Sequence, residues 1–361
     1  MAIEKVNGIE NAALPEGVQV AVTETEITPG ITEFEDGSAI IGEMQEQLDA
    51  PISIPFDANL AEHIEDGELG TIASDIVGDI ENDIQSRRDW EDQYKSGLEL
   101  LGMNYEDRAE PFEGASGIVH PLLAESVTQF QAQAYREMLP ASGPVRTHIV
   151  GAESPELLSQ AERVKNYMNY QITYEMEEYD PELDQMLFYL PIVGSAFKKV
   201  YFDPSMQRAV SKFVHAEDLI VPYNATDLRT STRIAHVIRM NKNEVRKLQL
   251  SGFYRDIDLP TSENGGTNYD EVRETISDIE GIDKGTGYNE EITLHEVHTD
   301  LDLLGFEDMD SQGEPTGLKM PYVVTIVEKS SEILSIKRNF NESDPLRRKI
   351  PYFVHYKFLP G

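Results

Sequence analysis

The chain has no cysteine among its 361 residues. Disulfide bridges, cysteine-ligated zinc and thiol nucleophiles are therefore excluded. No apolar run approaches the roughly 18 residues that a membrane-spanning helix needs. The first residues also lack the basic cluster and apolar block of a secretory signal. We therefore expect no membrane association, and a protein that works inside a cell or in a particle assembled there.

Basic residues are scarce, with 30 Lys and Arg against 66 Asp and Glu and a net charge of -36. Tight general binding to nucleic acid depends on basic side chains that neutralise phosphates, so this balance argues against it. It still permits weak, sliding contact with DNA. Residues 1–70 contain Lys5 as their only base and show no sustained apolar period. This pattern predicts an acidic leader that stays extended or disordered until a partner orders it.

Motifs of catalysis are missing or incomplete. In "LHEVH", His295 and His298 are three residues apart, whereas a zinc-protease helix needs a spacing of four. The alternation around them predicts a strand, on which they point to opposite faces. "GASG" at 114–117 lacks the pattern of a nucleophile elbow, and "GTGYN" at 285–289 lacks the third glycine of a dinucleotide fingerprint. We expect no catalytic residue, no cofactor and no bound metal.

The first half of the chain has helical patterns. Apolar residues at three- and four-residue spacings predict one helix over 72–101 and another over 121–139. "VRTHIVG" at 145–151 alternates like a strand. Ser154 followed by proline predicts the start of a third helix, and Asp180 followed by proline the start of a fourth, which ends at Gly194.

The second half changes to a period of two. "SAFKKVYFDP" and "QRAVSKFVH" predict a β-hairpin, and "EDLIVPY" a further strand. "RIAHVIRM" predicts a strand that leads into a helix capped by Asn241. After a polar linker at 260–290, three more β-type runs follow. Helices first and strands later indicate an α+β fold with more than one lobe.

Two polar surfaces are candidates for contacts between subunits. On the 121–139 helix, uncharged polar groups that can hydrogen-bond across an interface lie beside the apolar side. Between 205 and 256, nine Lys or Arg face five acidic residues. In a chain this acidic, another copy is the favoured partner of a basic stretch, ahead of DNA, and an ordinary solvated face is the alternative. The candidate residues are Gln129, Gln133, Arg136, Arg229, Arg233, Arg239, Arg246 and Lys247.

Four blocks in order resemble the portal proteins, or head-to-tail connectors, of short-tailed bacteriophages. They are "GASGIVHPLLAESVTQFQAQAYREMLPASGPVR", "AERVKNYMNYQITYEMEEYDPELDQMLFYLPIVGSAFKKVYFDP", "EDLIVPYNATDLRTSTRIAHVIRMNKNEVRKLQLSGFYRD" and "IPYFVHYKFLPG". The similarity spans about 86–361 and is absent from 1–70. Such portals continue well past the last block, so the resemblance implies that these residues correspond to the N-terminal half of a longer protein.

The resemblance implies a homo-oligomeric ring, commonly of twelve copies, at one vertex of the capsid. Double-stranded DNA is packaged through such a ring by the terminase large subunit and is later ejected through it. The implied partners are tail or adaptor proteins and the major capsid and scaffolding proteins, in a virion assembled in the host cytoplasm. The alternative is an acidic nucleic-acid-processing enzyme or its regulatory subunit, which the missing motifs disfavour.

The resemblance also implies a division of the chain into parts. After the leader at 1–70, it implies an α+β wing domain at 71–240 and a stem-like helix with a linker at 241–284. A β-rich clip-like lobe at 285–345 would follow, where motor and tail proteins dock. Residues 346–361 would begin a return segment toward the stem and wing.

Overall fold

The computed structural model describes residues 31–33, 39–41, 54–101, 112, 114, 120–204, 206–259, 291–309 and 314–358. The chain divides into two compact units, Met1–Ile54 and Pro55–Gly361. In the first unit, strand β1 (Ile31–Glu33) pairs antiparallel with β2 (Ala39–Ile41). The linker predicted at 260–290 and most of the leader before residue 54 lie outside the described residues.

The second unit combines helices with antiparallel sheets, which confirms the predicted α+β class. Its helices are α1 (Asp66–Ser86), α2 (Arg88–Leu101), α3 (Leu122–Met138), α4 (Pro155–Tyr170), α5 (Tyr179–Val193) and α6 (Lys242–Leu250). Its strands are β3 (Ser195–Asp203), β4 (Arg208–Val214), β5 (Leu219–Ile220), β6 (Arg233–Asn241), β7 (Glu291–Leu301), β8 (Met320–Val327), β9 (Ile333–Arg338) and β10 (Phe353–Lys357).

This unit begins before the boundary predicted at residue 70. Leu60 and Ala61 are fully buried. The Asn59 side chain donates to the carbonyl of Leu334 at 3.0 Å and accepts the N–H of Ile336 at 3.0 Å, so it pairs with the edge of β9. The prediction of an extended or disordered leader is therefore wrong for residues 55–70. The acidic composition of this stretch could not predict that one amide side chain, Asn59, bonds to a strand far away in the sequence.

The helix predicted over 72–101 is two helices that meet at Arg87. The Arg87 guanidinium donates to the carbonyls of Glu217 at 2.8 Å and Leu219 at 3.2 Å, and its Nε donates to Glu91 at 2.8 Å. These contacts hold the junction against β5. The break depends on partners about 130 residues away, so local periodicity does not predict it.

Helices α3 and α5 pack together and cover one face of a three-stranded sheet. Leu183, Met186 and Leu187 of α5 are buried there, with Phe130 of α3 packed against them. Helix α5 begins at Tyr179 rather than after a cap at Asp180, and the Asp180 carboxylate accepts a hydrogen bond from the hydroxyl of Tyr135.

The three-stranded sheet has the order β10-β3-β4. Its β3–β4 hairpin confirms the sequence prediction. The face opposite α5 packs on a second sheet through Phe197, Val214 and Phe353 on one side and Leu219 and Ile234 on the other. The described body of the second unit is thus a layer of helices on two stacked sheets.

The second sheet has the order β5-β6-β7-β8-β9. Strand β6 pairs with β7 from Arg233↔Thr299 to Asn241↔Glu291, along its whole length. This sheet therefore joins strands from the predicted wing at 71–240 with all three strands of the predicted lobe at 285–345. The β-type runs predicted at 285–345 do form strands, but these strands share one sheet with β6. Local patterns do not report this pairing, because it spans a large sequence separation.

Candidate functional site

Among the described α-helices of the second unit, α4 is the one without a buried residue. It starts as the sequence predicts, with Ser154 Oγ accepting the N–H of Leu157 at 3.2 Å and Pro155 in the first turn. None of its residues is buried. A helix of a globular protein normally turns its apolar stripe toward a core. The stripe of α4 is instead 42–59 % exposed, at Leu157, Leu158, Val164, Tyr167 and Met168.

A π-helical turn, Gln171–Glu175, continues α4. Tyr170 and Tyr174 stack on each other across it, with ring centroids 5.7 Å apart, and both are at least half exposed. Tyrosine is enriched among the residues that carry binding energy at protein interfaces. The exposed rings extend the uncovered apolar surface beyond the end of α4.

The segment before α4 is fastened to the helix at one point. Asn169 accepts the N–H of Val145 at 2.9 Å and donates to its carbonyl at 3.2 Å. Gly143 lies beside this clamp with φ +90°, and a Cβ there would lie 2.5 Å from atoms of the Asn169 side chain. We call residues 143–175 the arm. The strand predicted at 145–151 does not form among the described residues. Val145 bonds to the Asn169 side chain, and the segment pairs with no neighbouring strand.

Gly143→Ala should loosen the arm without damaging the body. The new methyl group would collide with Asn169, and a non-glycine residue at this φ also costs about 1–2 kcal/mol. Gly151→Ala is the matched control, because Gly151 has φ +107° with nothing near the added Cβ. We expect limited proteolysis to cut the arm faster in Gly143→Ala than in the control. Equal rates of cleavage in both variants would show that the clamp does not hold the arm.

The polar side of α3 is exposed as predicted. Gln129, Gln133 and Arg136 all lie on the surface. The Gln129 amide donates to Glu125 within the helix at 3.1 Å. Gln131 instead turns to α5 and donates to the Asp184 carboxylate at 2.8 Å. The arrangement leaves this face of α3 open to a neighbouring molecule.

The basic stretch at 205–256 is largely neutralised by the chain itself. Arg233 contacts the carboxylates of Asp83 at 2.7 Å and Asp79 at 2.8 Å, and Arg239 contacts Asp218 at 3.0 Å. These two arginines tie β6 to α1 and to the segment before β5, so the prediction that they meet acidic residues of another copy is not supported. Sequence counts charges but does not locate the acids that reach them from afar.

The other members of the predicted basic set lie at the surface. Arg246 pairs with Asp256 next to α6, while Arg229 and Lys247 are exposed. These three side chains remain available for contact with another molecule. Substitution of Arg239 would test the fold, whereas substitution of Arg229 or Lys247 would test an interface.

A charged network joins the two sheets. Lys199 Nζ of β3 donates to both carboxylate oxygens of Glu296 on β7, at 2.6 and 2.7 Å. His298 Nε2 lies 2.9 Å from the same carboxylate, and Asn339 Nδ2 lies 3.4 Å from His298 Nδ1. Since the amide can only donate to Nδ1, Nε2 carries the proton and donates to Glu296. His295 lies on the opposite face of β7, as the alternation predicts.

Burial and the neighbouring charges together decide the protonation states in this network. Burial by itself raises the pKa of Glu296, but Lys199 and the hydrogen bond from His298 outweigh it and hold that pKa well below its usual range. Burial lowers the pKa of His298, and it lowers the pKa of His236 nearby to about 4. The carboxylate is therefore charged and both imidazoles are neutral at pH 7. This arrangement locks two sheets together.

The sequence analysis missed the two lysines in "FKKVY". Successive residues of a strand face opposite sides, so Lys199 reaches the second sheet and Lys198 turns toward α5. Lys198 is 1 % exposed, its Nζ lies 4.1 Å from the centre of the Tyr179 ring, and burial lowers its pKa to about 8. Two lysines inside a strand with buried neighbours are the signal that could have identified both.

No protein-family model matches the chain, and no curated protein matches it significantly. Within the part of the chain that the structure describes, no group of three or more His, Asp or Glu could hold a metal ion. Among the same residues, no helix is long and apolar enough to cross a membrane. The arm, with its exposed apolar stripe, is the candidate functional site of the described chain.

Proposed function

We propose that the chain is a portal subunit of a tailed bacteriophage, which assembles with copies of itself into a ring. The observation that carries this proposal is the arm, an amphipathic helix whose apolar stripe the described body does not bury. A surface of this kind marks a site of protein contact. The sequence resemblance to portals over 86–361 supports a second copy of the chain as the partner.

In this proposal the ring occupies the unique vertex of the capsid. The terminase large subunit packages double-stranded DNA through it, and tail or adaptor proteins dock on it. These roles, and contacts with major capsid and scaffolding proteins, come from the resemblance. The exposed side of α3, with Gln129, Gln133 and Arg136, provides a second surface for contact between subunits.

Electron micrographs and the solution mass of the purified chain test the proposal together. We expect closed rings of several hundred kilodaltons that form without nucleotide or DNA. A homogeneous species of 40.6 kDa, the mass of one chain, at micromolar concentration would contradict the proposal. Rings that bind the terminase large subunit would support the packaging role, and rings that fail to bind it would restrict the proposal to assembly.

The ring should bind duplex DNA weakly. Each phosphate that Lys or Arg neutralises adds affinity. It also changes the slope of log K against log salt concentration by about -0.9. A net charge of -36 per subunit makes a channel of such subunits mainly repulsive. Near 0.15 M salt, charges farther apart than about 8 Å are screened. We expect a fluorescence titration with short duplexes under this condition to show no binding of DNA by the ring. Sub-micromolar binding that falls steeply with salt would indicate a basic channel.

A further inference from the structure

The two described sheets of the second unit have four outer edges, and three of these are covered by side chains. Asn59 bonds to the edge of β9, and the Arg87 guanidinium donates to the carbonyl of Leu219 on β5. On β4, the carboxylate of Glu178 accepts the N–H of Ser211 at 3.2 Å, and that of Glu182 accepts the N–H of Phe213 at 2.6 Å. Proteins cover edges in this way because an open edge pairs with another strand.

The outer edge of β10 lacks such a cover among the described residues. The carbonyl of Tyr352 accepts the N–H of Val200, and the N–H of Phe358 donates to the carbonyl of Gly194. Even-numbered residues of this strand therefore bond to β3. Because backbone groups alternate between the two sides of a strand, the N–H groups of Phe353, His355 and Lys357 face away from the sheet. This row is a template for a further strand.

The arm contains a segment that fits this template. Residues 145–150, "VRTHIV", alternate like a strand and run between Gly143 and Gly151 without helix, turn or bend. Val145 uses both of its backbone groups on Asn169. In an extended segment, the backbone groups of Arg146 and His148 then face away from α4. No backbone ladder forms along 146–150 in the described chain.

The same chain carries both the open β10 edge and the strand-like segment, so a second copy of the chain supplies what this edge needs. Residues 138–152 include Arg146 and His148 and contain no acidic residue, although the chain has 66 Asp and Glu. The stretch therefore brings no carboxylate into the contact. Val150, at 93 % exposure, and Val354 on β10, at 44 %, also gain cover if the two segments pair.

We propose that residues 145–150 of one copy add to the β10 edge of the next copy as a fourth strand of its β10-β3-β4 sheet. Main-chain hydrogen bonds then supply affinity and the alternating side chains supply register, as in other strand additions. The inference rests on the proposed assembly into rings and identifies where the arm docks. One edge and one segment per copy make the contact head-to-tail, which is the type that closes into a ring.

Proline at an outward-facing N–H tests the strand addition in the full chain. His355→Pro removes a donor from the β10 edge, and His148→Pro removes one from the arm. His355→Val and His148→Val are the matched controls, because they lose the same imidazole but keep the N–H. By sedimentation velocity, we expect each proline variant to form at least about tenfold less ring than its valine control, since losing part of a strand pairing costs 1.4 kcal/mol or more per contact.

The possible outcomes are distinguishable. His148 lies outside the body, so His148→Pro should keep the unfolding temperature of the unchanged chain even if His355→Pro destabilises β10. If the unchanged chain and His148→Pro form rings equally well, strand addition is wrong while the ring proposal stands. If the unchanged chain stays monomeric, both proposals fail.

Discussion

Under the proposed assembly into rings, Val164→Glu should leave the chain monomeric at concentrations where the unchanged chain assembles. Val164 lies in the apolar stripe of α4 and is 44 % exposed in the subunit. A carboxylate buried there without a partner costs about 2–4 kcal/mol per contact, which lowers the affinity of each contact roughly 30- to 1000-fold. The loss recurs at every contact of the ring. Sedimentation velocity and electron micrographs measure the outcome.

Asn166→Glu is the control for this prediction. Asn166 is exposed on the opposite side of α4 and receives the same charge. We expect this variant to assemble like the unchanged chain, and both variants to keep its unfolding temperature. Rings of Val164→Glu at unchanged yield would show that the apolar stripe of the arm is not the contact surface. Loss of rings in both variants would indicate a general effect of added negative charge.

The free energy of unfolding should fall steeply between pH 6.5 and 4. Burial lowers the pKa of His236 and of His295 to about 4, below the unfolded value of about 6.5. In this range the unfolded chain binds more protons, so the stabilisation is complete above pH 6.5 and is lost as the pH falls. Each of the two histidines should lower the free energy of unfolding by about 2–3 kcal/mol between pH 7.5 and pH 4.5. Urea unfolding at pH 7.5 and 4.5 measures the difference.

Single substitutions separate this effect from general acid unfolding. His295→Leu should reduce the pH dependence by about 2–3 kcal/mol, and His63→Gln, which removes an exposed imidazole, is the control variant. Glu296 acts in a lower window, because its depressed pKa gives stability that is lost only as the pH falls below about 4.5. An identical pH dependence in His295→Leu and in the unchanged chain would refute the assignment.

Local patterns predicted much of the secondary structure. Ser154 and Asn241 cap α4 and α6 because each side chain bonds to a backbone N–H two or three residues away. The hairpin of β3 and β4 follows from alternation around a short turn. Such signals act within a few residues, so they can be read without knowing the rest of the fold.

The candidate site was predicted in part. The exposure of Gln129, Gln133 and Arg136 follows from the helical period of α3. The roles of Arg233 and Arg239 could not be predicted, because their acidic partners approach from α1 and from the segment before β5. The start of α4 at Ser154 was predicted, but the exposure of its apolar stripe was not. An amphipathic pattern shows which face of a helix is apolar, but it does not show whether the rest of the chain buries that face.

By itself, the sequence determined the α+β class, the places of most helices and strands, the acidic charge and the absence of thiol chemistry. Each of these depends on composition or on spacings of a few residues. Only the tertiary structure decided that β6 and β7 share a sheet, that Lys199 meets Glu296, and that the described residues do not bury the apolar stripe of the arm. These depend on which distant segments pack together, and packing energy is shared over many contacts that no short pattern records.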